Sequence, residues 1–314
     1  KMKEKILQLL NENNYISGEK IAKKLGVTRT AVWKQIQNLE KIGYQIESIK
    51  NKGYRIIKRP DIPIETEVKQ NLNTRIMGQK VYYYPEITST NTIAKQKAME
   101  KTTEGTIVIA DKQTKGRGRK NRTWVSLRGG LWFSIILYPD LPPERGMMVT
   151  MTASVSVAQA IEETTGIKPV IKWPNDLLIN NKKVCGILTE LDAEIDKINY
   201  VIVGIGINVN NEIKDDLKSI ATSLKEITGS SLHRVKLLRT ILKYFDKNYL
   251  HIDNPSYIRK QWLSYSKIIG KKMMITEGEN KSIGVVQDVD ESGCLIMNSD
   301  GKLKRIVSGD LSFL

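Results

Sequence analysis

The chain has 314 residues, about twice the usual domain length, so two or three domains are expected rather than a single core. With 40% hydrophobic and 27% charged residues and no low-complexity tract, the composition excludes a mainly disordered, collagenous or fibrous protein. Fifty Lys and Arg against 34 Asp and Glu leave a net charge of +16, which calls for a polyanionic partner such as nucleic acid, nucleotide or a membrane surface.

That charge is concentrated in two places. Residues 1–60 carry 14 basic and 5 acidic side chains, a net of +9, and residues 112–122 carry six basic side chains and no acid. The rest of the chain nets only +1.

The first 60 residues predict three short helices and a hairpin. Ile6, Leu9 and Leu10 mark the first helix; Ile21, Ala22 and Leu25 mark the second behind Ser17, an N-cap candidate; Gly26 then breaks the pattern. Thr28 caps a third helix whose Val32, Ile36 and Leu39 form a buried stripe, while Arg29, Thr30, Lys34, Gln35 and Asn38 face outward. Strands at Tyr44 to Ser48 and Tyr54 to Ile57 flank a turn at Asn51, Lys52 and Gly53. This is a helix-turn-helix with a wing. Ser17, Thr28, Lys50 and Lys52 join the outward helix residues as candidate DNA contacts, cations for phosphates and short polar groups for base edges. Trp33, beside the buried stripe, is expected to pack against the wing. Pro60 to Pro63, followed by Glu65 and Glu67, sets the boundary of a winged-helix domain at 1–62.

From about residue 80, long apolar strands alternate with helices, the pattern of an α/β or α+β domain. A strand at Gln79 to Tyr84 leads to Ser89, Thr90 and Asn91, which either cap the next helix or offer hydroxyl and amide groups to a ligand at its N-terminus. A buried strand at Thr106 to Ala110 then delivers Gln113 and the run Gly116-Arg117-Gly118-Arg119-Lys120-Asn121-Arg122, ending at Trp124. Neither the dinucleotide fingerprint nor the P-loop fits this run. Its glycines allow close backbone approach, and Arg117, Arg119 and Arg122 can each fork onto phosphate or carboxylate oxygens. Their mutual repulsion predicts disorder until an anion arrives. Trp124 either covers a ligand or fills the core.

Further on, Pro174-Asn175-Asp176 separates two apolar stretches, and Asn180-Asn181 makes a hairpin turn that brings Asn175, Asp176 and Lys183 together on adjacent strands. A strand from Tyr200 to Asn208 carries Gly204 and Gly206, where something approaches the backbone closely. Gly270 to Leu314 is dense in short strands separated by Glu277-Gly278, Ser292-Gly293 and Asp300-Gly301, which reads as a small β-barrel. Cys185 and Cys294 fit no metal spacing or disulfide framework, and with no export signal or membrane span in view a reducing cytoplasm is expected. His233 and His251 have no partners at ligand spacing, so a mechanism built on His is not expected.

Ser89-Thr90-Asn91, the Gln113 to Trp124 run, Lys172-Trp173-Pro174-Asn175-Asp176, Lys183 before Cys185-Gly186-Ile187-Leu188, and Gly204 to Asn208 occur in one order behind a winged helix. Together they resemble the biotin protein ligase family in its bifunctional form, which also represses the biotin operon. The resemblance implies an α+β multidomain fold: the winged helix-turn-helix, a mixed α/β catalytic domain at 63–269, and an SH3-like barrel at 270–314. It implies ATP-dependent formation of biotinyl-5′-AMP with Mg²⁺, transfer of biotin to a lysine of a biotin carboxyl carrier domain, and repression by a homodimer with biotinyl-5′-AMP as corepressor and operator DNA as partner. No membrane partner and no protein-held metal site are expected.

By the same resemblance, Ser89, Thr90, Asn91 and Gln113 are similar to residues that hydrogen-bond the ureido ring of biotin. Arg117, Gly118 and Arg119 resemble the loop that orders over the ligand, and Arg122 a phosphate ligand. Trp124 resembles a cover near the adenine, Asn175 and Asn208 adenine contacts, and Lys183 the bridge between biotin carboxylate and α-phosphate. Asp176 is expected to orient that lysine or take part in magnesium-dependent steps. Lys120-Asn121 departs from an Arg-Gly pair common in this loop. A lipoate or octanoyl ligase would share the fold, but an alkyl chain would leave the polar groups at 89–91 and 113 unpaired. A regulator that only senses an anionic ligand is the non-enzymatic alternative.

Overall fold

A computed structural model describes residues 2–313, and the chain divides into two compact units meeting between Ile62 and Pro63. In the first unit, α1 (Met2–Leu9), α2 (Gly18–Leu25) and α3 (Arg29–Lys41) are followed by the antiparallel hairpin β1 (Gln45–Ile49) and β2 (Gly53–Lys58). The Ser17 side chain accepts from Lys20 N and the Thr28 side chain from Ala31 N, each at 3.1 Å, so both are N-caps. Gly26 closes α2 at φ +64°, returning its N–H to Ala22 O and making the tight turn between the two helices. Val32, Ile36 and Leu39 face Ile6, Ile21 and Ile56 in one small core. The wing is pinned to the chain before α2 by a bridge between Ile16 and Tyr54, and a Cβ on Gly53 would come within 2.1 Å of Ile16 O. Only glycine fits there, at φ +109°.

The second unit contains, in chain order, α4 (Glu65–Lys69), β3 (Val81–Tyr84), α5 (Thr90–Met99), β4 (Thr106–Ala110), β5 (Leu131–Leu137), α6 (Gly146–Thr165), β6 (Val170–Lys172), β7 (Asp176–Ile179), β8 (Lys182–Ala193) and β9 (Ile198–Ile207). Three helices, α7 (Leu224–Thr228), α8 (Arg234–Tyr249) and α9 (Pro255–Tyr265), precede β10 (Lys272–Glu277), β11 (Asn280–Val289), β12 (Leu295–Ser299), β13 (Lys302–Ile306) and β14 (Asp310–Phe313).

Seven of these strands form one mixed sheet in the order β3-β4-β5-β9-β8-β7-β6, in which only the β3–β4 pair is parallel. The period-two alternation of its central strands separates two faces. Ile107, Ile109, Phe133, Ile135, Val203 and Ile205 pack on the side of α6, α8 and α9 in the main core. Val108, Ile136 and Ile202 point the other way, onto Ala94 and Ala98 of α5. Helix α5 covers only part of that second face. Beyond it, the same alternation presents Ser134 of β5 and Gly204 and Gly206 of β9, small positions, and the two glycines line a hollow over the sheet.

The C-terminal strands pair antiparallel in the order β13-β12-β11-β10-β14. The expectation of a closed barrel is corrected to this extent: β13 and β14 are the two edges of the pairing, and among the described residues no ladder joins them. Residues 302–305 of β13 are all exposed, and within the strand only Ile306 is buried. The sheet is anchored to the rest of its unit by Trp173, whose Nε1 donates to Gly293 O at 3.0 Å, and by Arg259, which donates to Val289 O at 2.6 Å.

Asp246 of α8 accepts from the backbone N–H groups of Arg75, Ile76 and Met77 at 2.7–2.9 Å and so fastens the segment before β3. Asp246→Ala leaves these donors unsatisfied and is expected to cost about 3 kcal/mol of stability. Urea unfolding followed by circular dichroism measures this; a loss below about 1 kcal/mol contradicts it.

Candidate active site

One extra residue in β8 decides the character of the hollow. Leu177 pairs with Cys185 but Leu178 pairs with Lys183, so β8 advances two residues where β7 advances one, and Val184 is the bulged residue. Val184 and Cys185 both sink into the core, and Lys183 thereby comes to the same face as Gly186 and Leu188. The turn that starts β8 is Asn180-Asn181, at φ +50° and +62°, as a two-residue hairpin of this type requires. The Nζ of Lys183 lies 2.7 Å from Asp176 Oδ1 and 5.0 Å from the centre of the Trp124 ring.

The hollow is a cavity of about 300 Å³. Ser89, Thr90, Asn91, Gln113, Arg117, Gly118, Arg119, Arg122, Trp124, Asn175, Asp176, Lys183 and Asn208 all line it, so the candidates from four distant stretches of sequence meet in one place. Sequence reasoning missed Asn211, Glu212, Lys214 and Asp310 on its wall.

At one end, Ser89 is the N-cap of α5 yet makes no side-chain capping bond, which leaves its hydroxyl free of the usual duty of such a residue. Thr90 donates its N–H to Gln113 Oε1 at 2.7 Å, and the Gln113 amide donates to Ser126 Oγ at 2.8 Å. Ser134 Oγ lies 2.7 Å from Thr90 Oγ1 and donates to Asn91 Oδ1 at 2.6 Å. The glycines of β9 now have their reason. A Cβ on Gly204 would sit 2.1 Å from Asn91 Oδ1, and one on Gly206 would sit 2.5 Å from Trp124 Nε1. Trp124 meets Trp132 edge to face, and its buried Nε1 has no hydrogen-bond partner, an unspent donor on the cavity wall.

At the other end, Asn175 is held to β8 through its backbone and side chain: its O accepts from Ile187 N at 2.9 Å and its Nδ2 donates to Ile187 O at 2.7 Å. Asn208 Oδ1 accepts from Asn211 Nδ2 at 3.1 Å, while Asn211 Oδ1 accepts from Val209 N at 3.1 Å. The second asparagine thus fixes the orientation of the first. Cys185 lies beneath, wholly buried; burial, with Asp176 adding, pushes its thiol well above the ordinary range and makes it useless as a nucleophile. His233 and His251 do not line the cavity.

The glycine-rich loop folds back on itself. Gly118 N donates to Arg122 O at 2.7 Å and Trp124 N to Gly116 O at 2.9 Å; between them Lys120 and Asn121 stand at φ +53° and +58°. Asn at 121 occupies a left-handed position that its short polar side chain tolerates. In this conformation carboxylates of the protein act as the loop's anions. Arg122 pairs with Asp310 at 2.8 Å, Lys120 with Asp310 at 3.1 Å, and Arg117 with Glu190 at 2.8 Å. Arg119 donates to Gly309 O at 3.2 Å and to Asn175 Oδ1 at 3.4 Å. Burial alone would raise the Asp310 carboxyl, but the hydrogen bond from Lys120 and the charge of Arg122 outweigh it and hold the group below its usual range.

In the N-terminal unit, Arg29, Thr30 and Lys34 are exposed on α3, whereas Gln35 and Asn38 on the same helix are half-buried. Lys50 and Lys52 flank Asn51, at φ +68°, in the wing turn. Trp33 keeps 48% of its surface exposed and stands outside the hydrophobic cluster that holds the wing residues Ile46, Tyr54 and Ile56.

The model of the biotin/lipoate A/B protein ligase family matches residues 83–208, and that of an HTH domain matches residues 3–55. The bifunctional ligase/repressor BirA of Bacillus subtilis (strain 168) is 42% identical over 318 residues, covering 99% of this chain and 98% of that protein. Its namesake from Escherichia coli (strain K12) is 26% identical over 98% of this chain and 96% of that protein. The solved biotin protein ligase from Aquifex aeolicus in complex with biotin and ATP superposes with a TM-score of 0.64 at 34% identity, covering 74% of this chain and 98% of that chain. The chain belongs to the family of bifunctional ligase/repressors within the biotin/lipoate protein ligases.

Because the Asp310 carboxyl is depressed in the folded protein, its clasp on the loop is complete above the ordinary aspartate range and is lost as pH falls through the depressed value. At neutral pH, Asp310→Ala is therefore expected to speed tryptic cleavage at 117–122 several-fold in the ligand-free protein, with cleavage elsewhere unchanged. An unchanged rate at those sites shows that the clasp does not order the loop.

Proposed function

We propose that this protein joins biotin to ATP as biotinyl-5′-AMP, transfers the biotin to a lysine of a biotin carboxyl carrier domain, and represses biotin-operon genes with the adenylate as corepressor. The observation that carries the ligase reading is Lys183. It faces the same cavity as the polar end of α5 and the arginine-rich loop, positioned there by the Val184 bulge.

The carboxylate of biotin must attack the α-phosphate of ATP, which brings two anions together. The chemistry requires orientation and positive charge rather than a protein nucleophile. In this reading the ureido ring lies against Ser89, Thr90, Asn91 and Gln113. Lys183 reaches both the carboxylate and the α-phosphate, and Arg119 and Arg122 neutralise charge on the phosphates. Asn175 and Asn208 meet the adenine edge with Trp124 above the nucleotide. Arg117 and Gly118 close the loop over biotin. A lysine amine of the carrier then attacks the mixed anhydride carbonyl and AMP leaves.

Asp176 is the carboxylate beside Lys183 on the cavity wall, and Mg²⁺ is characteristically held by one or two carboxylates together with substrate phosphates and water. Asp176 fits that role, and the ion would neutralise charge on the triphosphate. Among the described residues there is no cluster of three His, Cys, Asp or Glu side chains. Mg²⁺ is assigned to arrive with ATP, held mainly by the substrate phosphates and water.

The polar α5 terminus favours biotin over lipoate, since an alkyl chain would leave Asn91 and Ser89 facing an apolar group. For the DNA function, α3 enters the major groove with Arg29, Thr30, Lys34, Gln35 and Asn38, Ser17 and Thr28 lie at helix N-termini near phosphates, and Lys50 and Lys52 of the wing take adjacent phosphates. A homodimer would present two such units to a two-fold operator. We place the winged-helix domain at 1–62, the catalytic domain at 63–269, and an SH3-like domain, in the manner of the family, at 270–314. No helix among the described residues is long and apolar enough to cross a membrane, and a cytoplasmic location suits this chemistry.

Lys183→Ala is expected to lower the rate of biotinyl-5′-AMP formation at least about a hundredfold. Single-turnover formation of the adenylate from biotin and labelled ATP measures it, and a rate equal to wild type refutes the assignment. Deleting residues 1–62 should abolish operator binding while leaving adenylate formation within about threefold, because the second unit is compact without them. Retained operator binding refutes the winged-helix reading.

A further inference from the structure

We propose that Glu190 is a positioning residue that ties the biotin-facing polar cluster to the arginine-rich loop, so that occupation of one sets the position of the other. The proposal rests on the ligase reading above. Glu190 lies on β8, on the same sheet face as Gly186 and Leu188 and past the end of the cavity wall. A single oxygen of its carboxylate, Oε2, accepts from Asn91 Nδ2 at 2.7 Å and from Arg117 Nη2 at 2.8 Å.

Each of these donors begins a path to the same place. Asn91 leads through Ser134 to Thr90, at 2.6 and 2.7 Å, and Thr90 N–H reaches Gln113 Oε1 at 2.7 Å. Gln113 and Arg117 belong to one continuous stretch of loop, so the circuit closes on itself through Glu190. A carboxylate shared by a neutral amide and a guanidinium is a charge-assisted junction. Without it, Asn91 Nδ2 keeps only Leu188 O at 3.3 Å, and Arg117 loses the anion that offsets repulsion from Arg119 and Arg122. Movement of the loop then no longer reports to the amide that faces the ureido ring, and the reverse also holds.

The test compares wild type, Glu190→Ala and Glu190→Gln by biotin affinity, by kcat for adenylate formation at saturating biotin and ATP, and by trypsin cleavage of the loop with and without biotin. Glu190→Ala should raise the Kd for biotin about tenfold. It should leave kcat within about twofold and abolish the slowing of loop cleavage by biotin that the proposal expects of wild type; no such slowing in wild type overturns the proposal. Glu190→Gln keeps an acceptor for Asn91 without the charge for Arg117, so it should weaken biotin less than Ala does and still lose the slowing of cleavage. Unchanged biotin affinity together with retained protection of the loop overturns the proposal, as does a fall in kcat at unchanged Kd. Should Glu190→Ala fail to fold, judged by circular dichroism, Glu190→Gln decides alone, and retained protection overturns the proposal. A wild-type protein that binds biotin and forms the adenylate keeps the ligase reading intact in each case; one that does neither overturns that reading and this inference with it.

Discussion

The bulge at Val184 sets which face of the seven-stranded sheet carries the cation. In an unbroken strand, Lys183 and Gly186 would point to opposite faces, because side chains alternate with a period of two. The lysine would then face the apolar core beneath α6, where an unpaired ammonium is costly to bury. With one residue inserted, Val184 and Cys185 both turn inward and Lys183 emerges beside Asp176, over a floor of glycine backbone. The floor is flat for the same purpose. Gly204 leaves room for Asn91 and Gly186 and Gly206 for Trp124, each of which would collide with a Cβ.

The second constraint is electrostatic. Six cationic side chains in one short stretch repel one another, and such a loop is stable only with anions in contact. Glu86 pairs with Lys112 at 2.9 Å, and the glycine-rich part of the stretch meets two more carboxylates, Asp310 from the C-terminal sheet and Glu190 from β8. Both lie at the margin of the cavity, so the phosphate oxygens of an acyl-adenylate would compete for the same guanidinium groups. A ligand that replaces these partners need not also create order from a free chain, which lowers the entropic cost of closing the loop. The C-terminal sheet thereby has a part in the site although it sits at the far end of the sequence.

Much of this was legible beforehand, for identifiable reasons. The helix-turn-helix follows from a capped helix with a clear i, i+4, i+7 stripe, and every residue singled out for the central site lines one cavity. Lys183 was conspicuous because a cation stood within an apolar strand. The glycines of β9 announced close approach but not what approaches, since Asn91 and Trp124 reach them from distant segments. Asp310 gave no local signal at all: its partners Lys120 and Arg122 are about 190 residues away, and no periodicity encodes a contact of that span. Glu190 and Ser134 carry no local signal for a related reason: Ser134 is one polar residue in the apolar strand β5, and Glu190 lies among Thr189 and Asp192 at the polar end of β8, far in sequence from Asn91 and Arg117. Trp33, expected to pack against the wing, stays half exposed on α3 and outside the cluster that holds the wing residues. The closed barrel was inferred from turn spacing, which fixes the number of strands but not whether the edges meet.

The central claim is that this cavity makes and retains an acyl-adenylate. Incubation of the intact protein with biotin and ATP, removal of free ligand, and mass spectrometry of what remains bound tests it most directly. Biotinyl-5′-AMP held at about one molecule per chain is the predicted result. Recovery of unreacted biotin and ATP, with no adenylate and no pyrophosphate released, would contradict the account.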